Sequence, residues 1–326
     1  YYQMNKEKVD NITNWLEKLN YKDFTIEQAS YDASFRSYFR VTHGNNSKIV
    51  MNSPPTEEPL TSFIAITKKL SDANINVPEI YEIDLEKGFM LISDFGSKTY
   101  LDVLNKETMY CLYTDAMDVI VNMQKGVDQT ELNEFDANEQ LIEMSLFRDW
   151  FLDKHLNINI TDTQYAELDN IFTALSNEIL KIPTSFVHRD FHSRNLMVLD
   201  KNNPGILDYQ DALIGPITYD IVSLLKDCYI EWDDEIIDSM LKTFYERVTH
   251  HNYSYDEFKY WFNITGIQRH LKAIGIFARL KYRDNKSSYI KDIPRTFGYI
   301  DKVLKKNGEF SGMKDIFNEF NINEKL

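Results

Sequence analysis

Three residues near the middle of the chain have the types and spacing that phosphoryl transfer needs: Asp190, Asn195 and Asp208, all within residues 186–211, FVHRDFHSRNLMVLDKNNPGILDYQD. A carboxylate placed beside an acceptor hydroxyl orients and deprotonates it. A second carboxylate and an amide oxygen hold the magnesium ions that neutralise charge on the transferring phosphate. In that arrangement Asp190 is the base, and Asn195 and Asp208 are the metal ligands. The bland alternative is a polar turn in which Asp and Asn only cap backbone groups. It does not account for a histidine, an aspartate two residues on, an asparagine five further, an apolar strand and then a second aspartate.

Holding these groups calls for a strand, a loop and a strand. The apolar segment 185–187 leads into the loop, 196–199 reads as a strand, and Gly205, Ile206 and Leu207 form a second apolar step that ends at Asp208. A hairpin of those two strands would bring the acid and the amide to one place. Pro216 suits the first turn of a helix, which should run through 219–230. Later helices are expected over 234–250, 255–283, 295–306 and 313–320. Ahead of the loop, 24–30, 35–42 and 48–52 read as strands, and Pro54, Pro55 and Pro59 stop the sheet. Phe63, Ile66 and Leu70 mark a helix, 80–83 and 89–93 two more strands, and from Thr99 onward the apolar stripes have helical spacing.

The runs HRDFHSRNLMVL, PGILDYQDALIGPITYDIVSLLKDCYI, GIQRHLKAIGIFARLKYRD and DASFRSYFRV resemble the kinase-like aminoglycoside phosphotransferase superfamily. Within it, they look like the bacterial N-acetylmuramate/N-acetylglucosamine anomeric kinases of cell-wall recycling. The resemblance implies an α+β, two-lobed protein-kinase-like fold. Residues 4–96 would form a small nucleotide-binding lobe with an antiparallel sheet, and 97–326 a mostly helical lobe carrying the catalytic hairpin and the sugar-binding region. It implies ATP and Mg2+ as cofactors and an amino sugar as acceptor, phosphorylated at C1. It also implies that Asp220 accepts backbone hydrogen bonds from the catalytic loop. Gln268, Lys272, Gly275 and Arg279 share one face of a long helix in the region that builds the sugar pocket in such enzymes, so Gln268, Arg269 and His270 are substrate candidates. Arg194, beside the acceptor site, is a candidate for neutralising phosphate or a substrate carboxylate.

The nucleotide side departs from the protein-kinase pattern. Asn52 stands where the strand lysine should be, and the turn at 32–35 has no glycine-rich loop. Alternation places Arg36, Tyr38 and Arg40 on one strand face, so Arg36 or Arg40 is expected to supply the missing cation while Ser34 and nearby amides cradle the phosphates. The triplet Asp94-Phe95-Gly96 spells a magnesium motif, but it precedes the catalytic loop instead of following it. Residues 94–98 read instead as a hinge, where the backbone up to Phe95 is a candidate partner for an adenine edge.

With 326 residues, 43% of them apolar and 13% aromatic, the chain can bury one large core or two. A net charge of −15 argues against nucleic acid or an anionic membrane as partner. No apolar run approaches a membrane span and no signal segment is evident, so a cytoplasmic protein is expected. Cys111 and Cys228 are far apart, suggesting neither a disulfide nor a zinc site. Two other functions remain open: an antibiotic phosphotransferase, and a nucleotide-binding protein without turnover.

Overall fold

The computed structural model describes residues 2–30, 36–56, 59–248, 252–306 and 308–326. Its strands are β1 (Thr25–Ser30), β2 (Ser37–His43), β3 (Asn46–Asn52), β4 (Ile80–Asp84), β5 (Phe89–Ser93), β6 (Thr184–Val187), β7 (Leu196–Met197), β8 (Gly205–Ile206) and β9 (Leu213–Pro216). Its α-helices are α1 (Tyr2–Lys18), α2 (Leu60–Asp72), α3 (Tyr100–Val103), α4 (Met109–Gly126), α5 (Ala137–Leu146), α6 (Asp162–Ile179), α7 (Tyr219–Leu225), α8 (Asp234–Arg247), α9 (Tyr255–Asp284), α10 (Ile293–Lys306), α11 (Ser311–Glu319) and α12 (Ile322–Lys325). The chain divides into two compact units, one of Tyr1–Lys98 with Met197–Gln210, the other of Thr99–Leu196 with Asp211–Leu326.

The first unit is built on a five-stranded antiparallel sheet of order β1-β2-β3-β5-β4. Alternation along β2 turns Phe39 and Val41 inward, where they meet Val50, Phe89 and Leu91 and the apolar stripe Ile12, Trp15 and Leu16 of α1. On α2, Leu60, Phe63, Ile66 and Leu70 are buried at helical spacing. The sequence boundary at residue 97 assigns 197–210 to the second lobe, whereas these residues pack within the first unit. Tyr209 is fully buried, stacks on Phe63 with ring centroids 5.0 Å apart, and hydrogen-bonds Thr67 Oγ1 at 2.9 Å. The Ile206 amide donates to the Asn76 carbonyl at 2.9 Å. Gly205 is required here, because a Cβ would lie 2.6 Å from the Phe95 ring.

The second unit is helical apart from β6 and β9, which pair antiparallel with Val187 opposite Leu213. Its centre is α9, thirty residues long and opened by a capping box of Ser254 and Glu257. α9 packs on α5, α6, α7, α8 and α10. Ile264, Ile267, Leu271, Ile274 and Ala278 are buried on it, joined in one core to Phe147, Phe151, Phe172, Phe297 and Ile300. At Gly275 the backbone of α9 meets the end of α5: a Cβ there would overlap the Leu146 carbonyl carbon and lie 2.5 Å from the Phe147 nitrogen. At that contact α5 gives way to a π-helical stretch, Phe147–His155. Pro216 does not start a helix, as expected from sequence. It ends β9, opposite Thr184, and α7 begins at Tyr219 and stops at Leu225.

Candidate active site

The loop after β6 is held from one side by carboxylates of α7 and the turn beyond it. Asp220 is 1% exposed and accepts the amides of His188 at 2.8 Å and Arg189 at 3.1 Å. Asp227 accepts the Ser193 amide at 2.8 Å and, with its other oxygen, the Tyr229 amide at 2.8 Å. These bonds hold Arg189 at a φ of 77°, a left-handed conformation that costs a non-glycine residue energy. Inside the loop, His188 Nδ1 accepts the Asp190 amide at 3.2 Å, and Asn195 Nδ2 donates to the Asp190 carbonyl at 3.0 Å. His188 is therefore a brace, and the amide of Asn195 has a fixed orientation.

Burial would push the Asp190 carboxyl up, but Lys272, His192, Arg269 and Arg189 together hold it far below the usual carboxylate range. Two of these cations are anchored on α5. Glu143, its side chain 5% exposed, pairs with Lys272 at 3.2 Å and with Arg189, and accepts Gln268 Nε2 at 2.8 Å. Burial lowers His192 in turn, and its Nδ1 has no hydrogen-bond partner among the described residues. The Arg194 guanidinium lies over two rings, 3.7 Å from the Tyr229 centroid and 5.6 Å from that of Tyr289.

Of the helix candidates, Gln268 and Arg269 are buried, each with a side-chain atom, Oε1 and Nε respectively, that has no partner among the described residues. His270 is used for packing: it stacks on Tyr299, centroids 5.1 Å apart, with Nε2 against the Lys226 carbonyl at 2.8 Å. The sequence places Lys272 on the polar helix face without making it a candidate, and does not single out Glu143. Lys272 carried a signal, since it lies four residues from Gln268 on the same helical face, but a lone acid on α5 carried none.

In the first unit, the Arg40 guanidinium forks onto Asp94 at 2.6 and 3.1 Å and donates to the Gly96 carbonyl at 2.9 Å. Its Nε and Nη2 are thus committed to the Asp-Phe-Gly turn, where Asp94 also caps the Gly96 amide at 2.8 Å, while Nη1 faces Glu27 at 3.9 Å. Arg36 is 8% exposed and donates to Ser53 Oγ at 3.2 Å, and Asn52 is also buried. Lys48, at the other end of β3, bonds the Tyr21 hydroxyl at 3.0 Å and covers the Tyr81 ring. Ser34 lies outside the described residues. Phe95 packs on Gly205. Asp208 follows β8 at a φ of 63° and accepts Gln210 Nε2 at 2.7 Å.

Residues 25–257 match the sequence pattern of the phosphotransferase enzyme family. The chain belongs to this family. The N-acetylmuramate/N-acetylglucosamine kinase of Pseudomonas aeruginosa is 38% identical over 292 residues, 88% of this chain and 86% of that protein. The protein of the same name from Pseudomonas putida is 35% identical over 327 residues, 96% of each chain. Among solved structures, choline kinase LicA from Streptococcus pneumoniae superposes with a TM-score of 0.65 at 13% identity, covering 92% of this chain and 99% of that one. The fold is thus kinase-like and α+β, and the chain is a phosphotransferase.

For a phosphotransferase the donor chemistry of Asn195 and Asp208 is apt. An amide oxygen and a carboxylate are hard ligands, and magnesium takes few protein oxygens because it keeps waters and substrate phosphates. Among the described residues no group of three or more His, Cys, Asp and Glu side chains is arranged to hold a metal ion. Nor is any helix of the described residues long and apolar enough to cross a membrane.

Proposed function

We propose that this phosphotransferase is an ATP-dependent sugar kinase that phosphorylates the anomeric hydroxyl of N-acetylmuramate or N-acetylglucosamine in the cytoplasm, in the recycling of cell-wall sugars. The observation that carries this reading is the ionised Asp190 among Lys272, Arg269 and Arg189. Such surroundings suit a neutral or anionic acceptor. The substrates named for the two Pseudomonas relatives fit that preference.

In this reading Asp190 accepts the proton of the acceptor hydroxyl. A carboxylate held so far down is a weak base, and the anomeric hydroxyl, more acidic than a primary alcohol, asks the least of it. Arg194, braced on Tyr229, reads the lactyl carboxylate of N-acetylmuramate, and Gln268 and Arg269 line the sugar side. Asn195 and Asp208 keep the role of magnesium ligands, and the ion supplies charge neutralisation on the nucleotide phosphates. Arg36 or Arg40 supplies the nucleotide cation, alongside Ser34 and the backbone at Phe95.

A panel of amino sugars and aminoglycosides assayed for ADP release tests the class of acceptor, and phosphorus NMR of the product tests the position. A phosphate coupled to one proton at C1 is expected, and coupling to two methylene protons would place it at C6. Arg194→Ala should raise KM for N-acetylmuramate more than for N-acetylglucosamine. Turnover confined to an aminoglycoside would overturn the reading.

A further inference from the structure

The second unit contains a cavity of about 160 Å3 where the C-terminal end of α7 meets α8, α9 and α10. Lys226 lines it and is 8% exposed. Its ammonium donates to Asn263 Oδ1 at 3.1 Å and lies 4.7 Å from the centre of the Phe262 ring. Among the described residues no carboxylate lies within ion-pair distance of it. The other lysines of the cavity are paired: Lys259 with Asp238 at 2.8 Å, and Lys302 and Lys306 with Asp234 at 3.0 and 3.3 Å. Lys302 also pairs with Glu231 at 3.4 Å, so four ammonium groups face three carboxylates, a small excess of positive charge in a chain whose net charge is −15.

A buried ammonium with a single neutral acceptor lacks the counter-charge that normally accompanies it. Burial lowers the Lys226 ammonium to about 7; Asp234 and Asp238 on α8 oppose this, and Lys306 on α10 and Lys259 on α9 add to it. Tyr299 and Lys302 complete the ionisable lining. The space admits one tetrahedral anion with water, and its several oxygens can accept from Lys226 inside and from the lysines at the mouth together.

We propose that this cavity binds a small phosphate-class dianion, either free phosphate or the phosphate end of a short monoester, held by Lys226, Lys302 and Lys306. The full chain, its nucleotide site saturated with magnesium ADP, is titrated at pH 8 by calorimetry with inorganic phosphate and, separately, with glycerol phosphate. Tighter binding of one over the other tells free phosphate from a monoester. One anion per chain is expected, with proton uptake approaching one per anion bound, because the anion returns the charge to a lysine that is mostly neutral at that pH. Lys226→Met should weaken binding by about tenfold or more and abolish the uptake. The double variant Lys302→Ala/Lys306→Ala, at half-buried and exposed positions, should weaken binding several-fold and keep the uptake. Absence of binding at millimolar anion, or the same affinity and uptake in Lys226→Met, would overturn the proposal. If Lys226→Met does not fold, an unchanged affinity in the double variant overturns it equally.

Discussion

Replacing Asp220 tests how the catalytic loop is held. Its carboxylate accepts two successive amides, His188 at 2.8 Å and Arg189 at 3.1 Å, and is 1% exposed, so Asp220→Ala leaves two N–H groups without their charged acceptor. Each such bond is worth about 1.5–3 kcal/mol. Release of Arg189 from its left-handed conformation returns about 1–2 kcal/mol. The net loss of stability is then about 1–5 kcal/mol, read as a lower urea midpoint at unchanged slope. Asp220→Asn keeps one oxygen and should lose about half as much. Activity carries a sharper signature. Burial pushes the Asp220 carboxyl up to about 7 against the pull of the two amides. As pH falls through that value the carboxyl takes up a proton, one amide loses its acceptor, and kcat/KM should drop. Asp190, held ionised far below, contributes nothing in that range. The γ-phosphate of ATP also titrates near there, but equally for both enzymes. The ratio of wild-type to Asp220→Asn profiles should therefore rise with a midpoint near 7, from near unity in acid to about tenfold in base. A flat ratio, or full activity in Asp220→Ala, would refute the reasoning.

Asp190→Asn should lower kcat by about two to four orders of magnitude and leave nucleotide affinity nearly unchanged, measured by turnover and by calorimetry with magnesium ADP. Gly275→Ala gains helix propensity of about 1 kcal/mol but forces a methyl into the Leu146–Phe147 backbone. A net destabilisation of about 1–3 kcal/mol is expected, with a lower Tm. Arg40→Met removes the fork onto Asp94, whose carboxyl burial would raise but which Arg40, Ser47 and the Gly96 amide hold down. A depressed carboxyl stabilises the fold above its unfolded pKa of about 3.9 and loses that contribution as pH falls through the folded value. The deficit of Arg40→Met, about 1 kcal/mol after solvent screening, should accordingly be full above about pH 4 and shrink below it in urea titrations across pH.

The five-stranded sheet and the long helices were legible in the sequence, because period-two and period-3.6 stripes such as Phe39 and Val41, or Ile264, Ile267 and Leu271, are set by burial on one face. The segment Leu213–Pro216 was not: Pro216 reads as the first turn of a helix, whereas at the end of a short strand its missing amide costs little. The π-helical turn after Leu146 was hidden too, since it begins where the backbone meets Gly275, more than a hundred residues away. At the candidate site, Asp190, Asn195 and Asp208 stand out by mutual spacing. The bracing of Asp190 by Lys272 and Glu143 arises only when α5 and α9 pack, and Arg40 meets its partner at Asp94 only in the folded chain.

The placement of Met197–Gln210 within the first unit bears on how the protein is made. Phe63 stacks on Tyr209, Thr67 hydrogen-bonds it, and the Asn76 carbonyl accepts the Ile206 amide, all partners more than a hundred residues downstream. On the ribosome the sheet is synthesised long before the segment that finishes its core, so it must wait with an apolar surface uncovered while α3–α6 emerge. Splitting the gene after Lys98 would leave the same gap permanently, and an excised residue 1–98 fragment should be poorly folded unless a peptide spanning 197–210 is supplied in trans.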